Sequence, residues 1–148
     1  MIRVHGTSVA LGGDGILLRG PSGSGKSDLA LRLIDEGGRL VADDQTELRL
    51  AGDDVSMTAP ATIAGRMEVR GIGVLRVPSI AAAPLRLVID LVPGDAVERL
   101  PEGDACDYLG RRFPLIRLAP FEASAPAKLR LALRALGPPA PHTILVTS

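Results

Sequence analysis

The fold is decided by the stretch Gly20-Pro21-Ser22-Gly23-Ser24-Gly25-Lys26-Ser27. It matches G-x-x-x-x-G-K-[ST], a loop whose backbone N–H groups surround nucleotide phosphates. Lys26 is predicted to reach the β- and γ-phosphates, and Ser27 to hold Mg²⁺ through its hydroxyl. All but two of the 17 basic residues are Arg, so a lysine here indicates a site that needs a compact ammonium group. We therefore expect all eight residues of this loop to bind a nucleotide.

The residues on either side of the loop predict a strand before it and a helix after it. Residues 15–19 are a short apolar run that ends at the loop. Apolar residues then recur at helical spacing over residues 26–36, and Gly37-Gly38 is expected to end that helix. Residues 39–42 are predicted to be a buried strand. This strand–loop–helix–strand unit predicts an α/β fold in which helices flank a mixed β-sheet.

The composition of the chain predicts a single domain with an aliphatic core. Its 148 residues are 46% hydrophobic but only 2% aromatic, which suits a core of Leu, Val, Ile and Ala. The formal net charge is zero, which argues against a nucleic-acid partner bound through bulk charge. We expect no signal peptide, because Arg3, His5 and Asp14 interrupt the N-terminus, and no membrane span, because no apolar run is long enough. The lone Cys106 cannot form an internal disulfide, which suits a cytoplasmic protein.

The second half of the chain predicts further strands and one more helix. Residues 47–50 and 55–58 are predicted to form a hairpin around residues 51–54. Residues 85–92 are the strongest later strand, and residues 115–118 a weaker one. The pattern over residues 126–136 predicts a helix, with Pro126 suited to its first turn. We expect one domain over residues 1–136 and a tail over residues 137–148.

Two carboxylates, Asp43 and Asp44, follow the strand after the helix. That strand end is expected to lie beside the phosphate loop. One carboxylate is predicted to act on Mg²⁺, directly or through water, and the other to accept a proton from an attacking hydroxyl. The alternative interpretation is an ordinary solvated strand end.

Two further segments are weaker signals when taken alone. Residues 67–75 are predicted to be a strand, with Glu68 and Arg70 on one face and glycines where another group must approach closely. An edge strand with a bulge explains the same pattern. His5-Gly6 lies ahead of the first predicted strand, and a single histidine near a terminus is usually incidental.

Taken in order, these motifs resemble the catalytic domain of the bacterial HPr kinase/phosphorylase family. That family has a His-Gly, a Gly-x-Ser-Gly-x-Gly-Lys-Ser loop, an Ala-Asp-Asp and a Glu-x-Arg-Gly-x-Gly segment. Here they are His5-Gly6, the loop ending at Lys26-Ser27, Ala42-Asp43-Asp44 and the segment that begins at Glu68. The likeness covers about residues 2–135 and is to the short proteobacterial form, without the N-terminal domain of longer members.

The resemblance implies a fold, a reaction and roles for individual residues. It implies the P-loop kinase fold shared with phosphoenolpyruvate carboxykinase, with residues 1–136 as the catalytic domain. It implies a serine kinase that uses ATP and Mg²⁺ on HPr or an HPr-like phosphocarrier protein. The implied catalytic residues are Asp44, as base, with Lys26, His5 and Arg99, and the implied Mg²⁺ residues are Ser27 and Glu68, with Asp43. Arg99 is included because residues 98–100, Glu-Arg-Leu, match a later loop of the family.

The resemblance is incomplete after residue 119. The family's Pro-x-x-Pro-Gly-Arg-Asn loop, tied to dephosphorylation, is replaced over residues 120–126, where Glu122 offers a carboxylate that repels phosphate. We therefore expect forward transfer to exceed phosphate-driven reversal. The family's C-terminal helix is also shortened, so homo-oligomer formation is left open. Two alternatives to a protein kinase also remain: a small-molecule kinase of the same fold and a non-catalytic nucleotide-binding regulatory module.

Overall fold

The computed structural model describes residues 1–136 of the chain. These residues form eleven β-strands and two α-helices, with short 3₁₀ turns at Ala61–Ile63 and Gly94–Ala96. The elements are β1 (Ile2–His5), β2 (Thr7–Leu11), β3 (Asp14–Arg19), α1 (Lys26–Asp35), β4 (Arg39–Ala42), β5 (Gln45–Ala51), β6 (Asp54–Thr58), β7 (Arg66–Val69), β8 (Gly73–Arg76), β9 (Ala82–Leu91), β10 (Asp104–Tyr108), β11 (Arg111–Leu118) and α2 (Ala125–Leu136). The predicted tail over residues 137–148 lies outside the described residues.

The strand–loop–helix–strand unit is present as β3, the loop, α1 and β4. The main sheet has the order β1-β5-β6-β9-β3-β2-β4, and β11 joins it by pairing with β9 and β10. β3 and β4 are not neighbours, because β2 lies between them and is antiparallel to both. The chain therefore crosses over one strand as it passes through α1. This crossover brings the C-terminal ends of β3 and β4 to the same edge of the sheet.

Two strands precede β3, and the sequence did not predict either of them. β1 pairs antiparallel with β5, with His5 opposite Gln45, and β2 pairs with β3 and β4. Gly6 joins the two strands, and a Cβ there would lie 2.8 Å from Leu17 Cδ1 and 2.9 Å from the Leu18 carbonyl oxygen. The expectation that His5-Gly6 lies ahead of the first strand is wrong. β1 is only four residues long, so its alternation of apolar and polar residues is a weak strand signal.

The sheet is buried on both faces, but the two helices cover only one of them. Leu29 and Leu33 of α1 and Leu129 of α2 pack with Ile16 and Leu18 of β3. On the other face, Leu17 packs within a second cluster made only of strand and loop residues. That cluster is closed by the curl of the sheet through β5, β6, β10 and β11. The predicted helices are therefore confirmed, and both of them flank the same face.

The later strands agree with the sequence except at two places. The hairpin of β5 and β6, the long strand β9, and β11 are present. β10 was not predicted, because its sequence DACDY lacks an apolar alternation. Residues 67–75 are not one strand but the hairpin of β7 and β8, a separate two-stranded sheet. The positive φ angles of Gly71 (88°) and Gly73 (128°) turn the chain there, so Glu68 and Arg70 do not share a strand face. Within residues 1–136, no helix is long and apolar enough to span a bilayer.

Candidate functional site

The phosphate loop has the backbone conformation that its glycines permit. Gly20, Gly23 and Gly25 all have positive φ angles, of 157°, 84° and 102°. A Cβ on Gly25 would lie 3.0 Å from Pro120 Cγ and from Phe121 Cζ, so glycine is required there for space as well as for conformation. The Leu29 N–H donates to the Gly25 carbonyl at 2.9 Å as α1 begins. The loop therefore leads directly into a helix N-terminus, which favours anions.

Lys26 is the first residue of α1 and lies under the loop. Its side chain is 6% exposed, and its Nζ donates to the Gly20 carbonyl at 2.7 Å and the Pro21 carbonyl at 3.1 Å. These two carbonyls hold the ammonium group at the base of the loop. Phosphate oxygens are stronger acceptors than neutral carbonyls. The ammonium group is therefore positioned to exchange these carbonyls for phosphate oxygens when a nucleotide binds.

The buried carboxylate of Asp43 connects three segments of the chain. Its Oδ1 accepts a hydrogen bond from Ser27 Oγ at 2.9 Å and one from Thr7 Oγ1 at 3.4 Å. Its Oδ2 accepts the backbone N–H of Glu68 at 3.1 Å. The carboxylate thereby joins the start of α1, β2 and the β7–β8 hairpin at one point.

The exposed carboxylate of Asp44 faces His5. His5 Nε2 lies 2.8 Å from Asp44 Oδ1. The Asp44 N–H donates to Thr7 Oγ1 at 3.1 Å, and its carbonyl accepts the Gly6 N–H at 2.8 Å. Asp44 has a φ of 66°, a left-handed conformation that Asp tolerates better than most residues. Three consecutive residues, 5–7, thus fix both the backbone and the side chain of Asp44.

These groups open into one cleft of about 840 Å³. Both carboxylates, Asp43 and Asp44, line it. The other lining residues come from the loop, the start of α1, the β7–β8 hairpin and Phe121: Ser22, Gly23, Gly25, Lys26, Ser27, Asp28, Leu31, Met67, Glu68, Val69, Arg70, Gly71, Ile72, Gly73, Val74 and Phe121. His5 borders the cleft through its contact with Asp44. Arg99 is exposed between β9 and β10 and is not among the lining residues.

The predicted metal residues form an oxygen-rich corner of this cleft. Ser27 and Asp43 are in direct contact, and the side chain of Glu68 is exposed in the same cleft. Within residues 1–136, no group of three or more His, Cys, Asp or Glu side chains is arranged to hold a metal ion. Mg²⁺ usually takes one or two carboxylates and completes its shell with water and substrate phosphates. The donors present here fit that pattern of binding.

Three residues near the cleft were missed by sequence reasoning. Thr7 contacts both aspartates, yet a single threonine carries no signal in one sequence. Arg32 donates to the carbonyls of Pro120 and Glu122, which holds the segment that carries Phe121. The third missed residue is Lys128, whose Nζ lies 2.8 Å from Glu122 Oε2 and offsets the charge of that carboxylate. The expected repulsion of phosphate by Glu122 is therefore weaker than the sequence suggested.

An ion pair lies at the root of the loop, one residue before Gly20. Arg19 Nε and Nη2 donate to the two carboxylate oxygens of Asp90 at 2.7 and 2.9 Å, and Nη1 donates to the Tyr108 hydroxyl at 2.9 Å. The hydrogen bond to Asp90 raises the pKa of Arg19 further above its usual range, so its charge is permanent. Burial raises the pKa of the nearby Cys106 thiol, which keeps it protonated. The pair ties β3, β9 and β10 together where the loop begins.

Comparisons with known proteins agree with this geometry. Residues 1–97 match the family model described as HPr Serine kinase C-terminal domain. The chain is 41% identical over 111 residues to an HPr kinase/phosphorylase from Caldanaerobacter subterraneus subsp. tengcongensis, covering 74% of this chain and 36% of that protein. It is 39% identical over 118 residues to one from Burkholderia lata, covering 72% of this chain and 37% of that protein. The chain thus spans about a third of the length of these curated relatives.

A solved structure matches over nearly its whole length. It is described as the Hpr(Ser) kinase/phosphatase from Coxiella burnetii, and the match has a TM-score of 0.80 with 25% identity. The match covers 91% of this chain and 90% of that one, and it confirms the fold expected from the ordered motifs. The family model covers well over half of the chain, so the chain belongs to the HPr serine kinase C-terminal domain family.

Proposed function

We propose that this protein is an ATP- and Mg²⁺-dependent serine kinase that phosphorylates HPr or an HPr-like phosphocarrier protein in the cytoplasm. The observation that carries the proposal is the His5–Asp44 contact of 2.8 Å, in the same cleft as the phosphate loop. A loop alone binds a nucleotide, whereas phosphoryl transfer also needs a group that handles the proton of the attacking hydroxyl. The names of the matched relatives support the same reaction.

In the proposed reaction, Asp44 accepts the proton of the seryl hydroxyl as that oxygen attacks the γ-phosphorus. The bond from the γ-phosphorus to the β,γ-bridging oxygen breaks, and ADP leaves. Asp44 suits this task because its side chain is 59% exposed, so a protein substrate can reach it. His5 holds the Asp44 carboxylate in one orientation through its ring nitrogen, and residues 6 and 7 hold the backbone.

Charge on the transferred group is met by the loop and its neighbours. Lys26 would exchange its contacts with the loop carbonyls for contacts with the β- and γ-phosphates. Ser27, Asp43 and Glu68 would hold Mg²⁺, which would supply positive charge to offset that of the phosphates. Because Asp43 already accepts hydrogen bonds from Ser27, Thr7 and Glu68, we propose that it acts on the ion through bound water.

Arg99 is proposed to join the reaction from outside the cleft. It lies in a segment rich in Gly, Pro and acidic residues between β9 and β10, and such segments move more easily than the strands that they connect. A movement of this segment when the partner protein binds would bring the guanidinium to the transferring phosphoryl group. Arg99 would then stabilise the transition state of transfer rather than the bound nucleotide.

The direction of the reaction follows from the segment at residues 120–126. This segment lacks the Arg-Asn pair that the resemblance links to attack of inorganic phosphate on phosphoserine. The Lys128–Glu122 ion pair offsets the repulsion of phosphate expected from Glu122. The absence of the Arg-Asn pair is therefore the one remaining support for weak reversal. We propose that transfer from ATP exceeds phosphate-driven reversal, and pyrophosphate release from phosphoserine-HPr with inorganic phosphate measures the reverse reaction.

The proposal is tested with labelled ATP, Mg²⁺ and purified HPr, beside HPr in which the acceptor serine is replaced by alanine. We expect label on the serine protein only. ATP turnover without labelled HPr would instead point to a small-molecule kinase. Nucleotide binding without turnover under any condition would point to a regulatory module. Absence of nucleotide binding would refute the assignment of residues 20–27 as a nucleotide-binding loop.

A further inference from the structure

Phe121 is an anomaly in a chain that has almost no aromatic residues. The sequence contains only two Phe, one Tyr and no Trp, yet Phe121 leaves 70% of its surface exposed. Among the described residues that line the cleft, it is the sole aromatic one. Apolar and aromatic side chains predominate in the walls of small-ligand sites, so the position of Phe121 in the cleft wall points to contact with a ligand.

The ring is exposed, but the backbone that carries it is held firmly. Arg32, on α1, donates to the carbonyls of Pro120 and Glu122, which flank Phe121 on both sides. The same guanidinium contacts Asp28, with 3.1 Å between Nε and Oδ2. Asp28 directly follows the Lys26-Ser27 pair that ends the phosphate loop. The position of Phe121 is therefore tied to the helix turn that receives the phosphates.

The ring also lies directly beside the loop. Its Cζ would be 3.0 Å from a Cβ on Gly25, so the aromatic edge packs over the backbone of that glycine. Most of the ring surface is exposed, and Phe121 lines the cleft together with Ile72 and Val74 of the hairpin, which are also exposed. A flat apolar group that enters beside the loop would find an aromatic surface already in place.

We propose that Phe121 is the stacking platform for the base of the nucleotide, an inference that rests on the proposed nucleotide-binding function. The phosphates are fixed by the loop, and the γ-phosphate must face Asp44, where the acceptor hydroxyl arrives. The nucleoside must therefore leave the loop on another side, and the wall formed by Asp28, Leu31 and Phe121 offers it an aromatic surface there. Stacking on a phenyl ring is tolerant of base identity, because every base has a π-face.

The experiment compares a ligand that has a base with one that lacks it. Dissociation constants for ATP and for inorganic tripolyphosphate, both with Mg²⁺, are measured by calorimetry on the full chain. The variants are Phe121→Ala, Phe121→Trp and the control Leu131→Ala, a residue of α2 that is 58% exposed and does not line the cleft. We expect Phe121→Ala to weaken ATP binding by about 5- to 140-fold, the usual range for loss of one base stack, with tripolyphosphate binding unchanged.

A second measurement uses the absence of tryptophan from the chain. In Phe121→Trp the introduced indole is the sole tryptophan, so its fluorescence reports the stack directly. We expect near wild-type ATP affinity and quenching of this fluorescence by ATP but not by tripolyphosphate. Circular dichroism of each variant excludes unfolding as the cause of a loss.

The outcomes separate this inference from the proposed function. If the wild type binds neither ligand, the nucleotide-binding proposal itself fails. If it binds ATP but Phe121→Ala binds ATP equally well and the indole is not quenched, the stacking inference alone fails. An equal loss of ATP and tripolyphosphate affinity in Phe121→Ala would also overturn it, because Phe121 would then act by shaping the loop.

Discussion

The Nε2 atom of His5 lies 2.8 Å from Oδ1 of Asp44, although 39 positions separate the two residues in the chain. The contact forms because β1 pairs with β5, whose first residue, Gln45, lies opposite His5. Asp44 immediately precedes that residue, so the strand register alone brings the histidine to the carboxylate. Both side chains are exposed beside the loop, which makes the pair accessible to a substrate.

Replacing Lys26 tests the phosphate loop. Lys26→Ala should lower both ATP affinity and phosphoryl transfer by on the order of tenfold or more, because a charge-assisted contact to the phosphates is lost. The other lysine of the chain, Lys128, provides a matched control. Its exposed ion pair with Glu122 contributes little, and Lys128 does not line the cleft, so Lys128→Ala should lower ATP affinity far less than Lys26→Ala does. Wild-type ATP affinity in Lys26→Ala would refute the assignment.

Replacing Asp44 by its neutral isostere tests the proposed base. Asp44→Asn should leave Mg-ATP binding largely intact and reduce transfer to HPr by roughly 10²–10⁴-fold, the usual effect of losing a general base. Calorimetry gives the binding, and single-turnover kinetics give the transfer. If nucleotide binding is lost in a folded variant, Asp44 is chiefly a metal residue, and a near-normal transfer rate would rule out the base.

The contribution of His5 is measured by a double-mutant cycle with Asp44. His5→Ala should reduce the transfer rate by about tenfold without changing ATP affinity, because the histidine orients the carboxylate rather than the nucleotide. In the background of Asp44→Asn, the same change should have little further effect, since coupled residues are not additive. Additive losses in the double variant would show that His5 acts independently of Asp44.

Arg99 is expected to act only during transfer. Arg99→Ala should lower turnover with HPr while ATP affinity stays within about twofold, since the charge that it meets develops in the transition state. The control is Arg111→Ala, at another exposed arginine, and it should change neither turnover nor ATP affinity. Equal losses of turnover and affinity in Arg99→Ala, or no loss at all, would contradict this role.

We expect the Arg19–Asp90 pair to contribute to the free energy of unfolding. Arg19→Lys keeps the charge but loses the fork that binds both carboxylate oxygens, so unfolding in urea should require about 1–3 kcal/mol less free energy. Arg112→Lys is the control, because its pair with Asp107 is exposed and should change stability by less than about 0.5 kcal/mol. Equal stabilities for the two variants would mean that the partly buried Arg19–Asp90 pair contributes no more to stability than the exposed pair.

The sequence predicted those parts of the molecule that rest on local patterns. The loop, the helix after it and the strand that leads to Asp43 and Asp44 follow from glycine spacing and apolar periodicity, and each is present. The β5–β6 hairpin was also found, because Gly52 and Asp53 interrupt two segments in which apolar and polar residues alternate. The ordered motifs identified the family before any geometry was available.

What the sequence missed depends on contacts between distant segments. β1 becomes a strand only by pairing with β5, and β10 only by pairing with β11, so neither carries a strong pattern of its own. The turn within residues 67–75 was missed because Gly71 and Gly73 were interpreted as points of close approach within one strand. Thr7 acquires its importance only because the fold brings it against both aspartates.

The backbone amide of Glu68 offers a way to observe events in the loop from a distant segment. Its hydrogen bond to Asp43 Oδ2 is the point at which the β7–β8 hairpin is attached to the carboxylate that also receives Ser27. If Mg²⁺ is held through bound water, this hydrogen bond stays in place and the amide keeps its slow deuterium uptake when Mg-ATP binds. Faster uptake would show that Asp43 leaves Glu68 to contact the ion directly, and this measurement needs no label on the nucleotide.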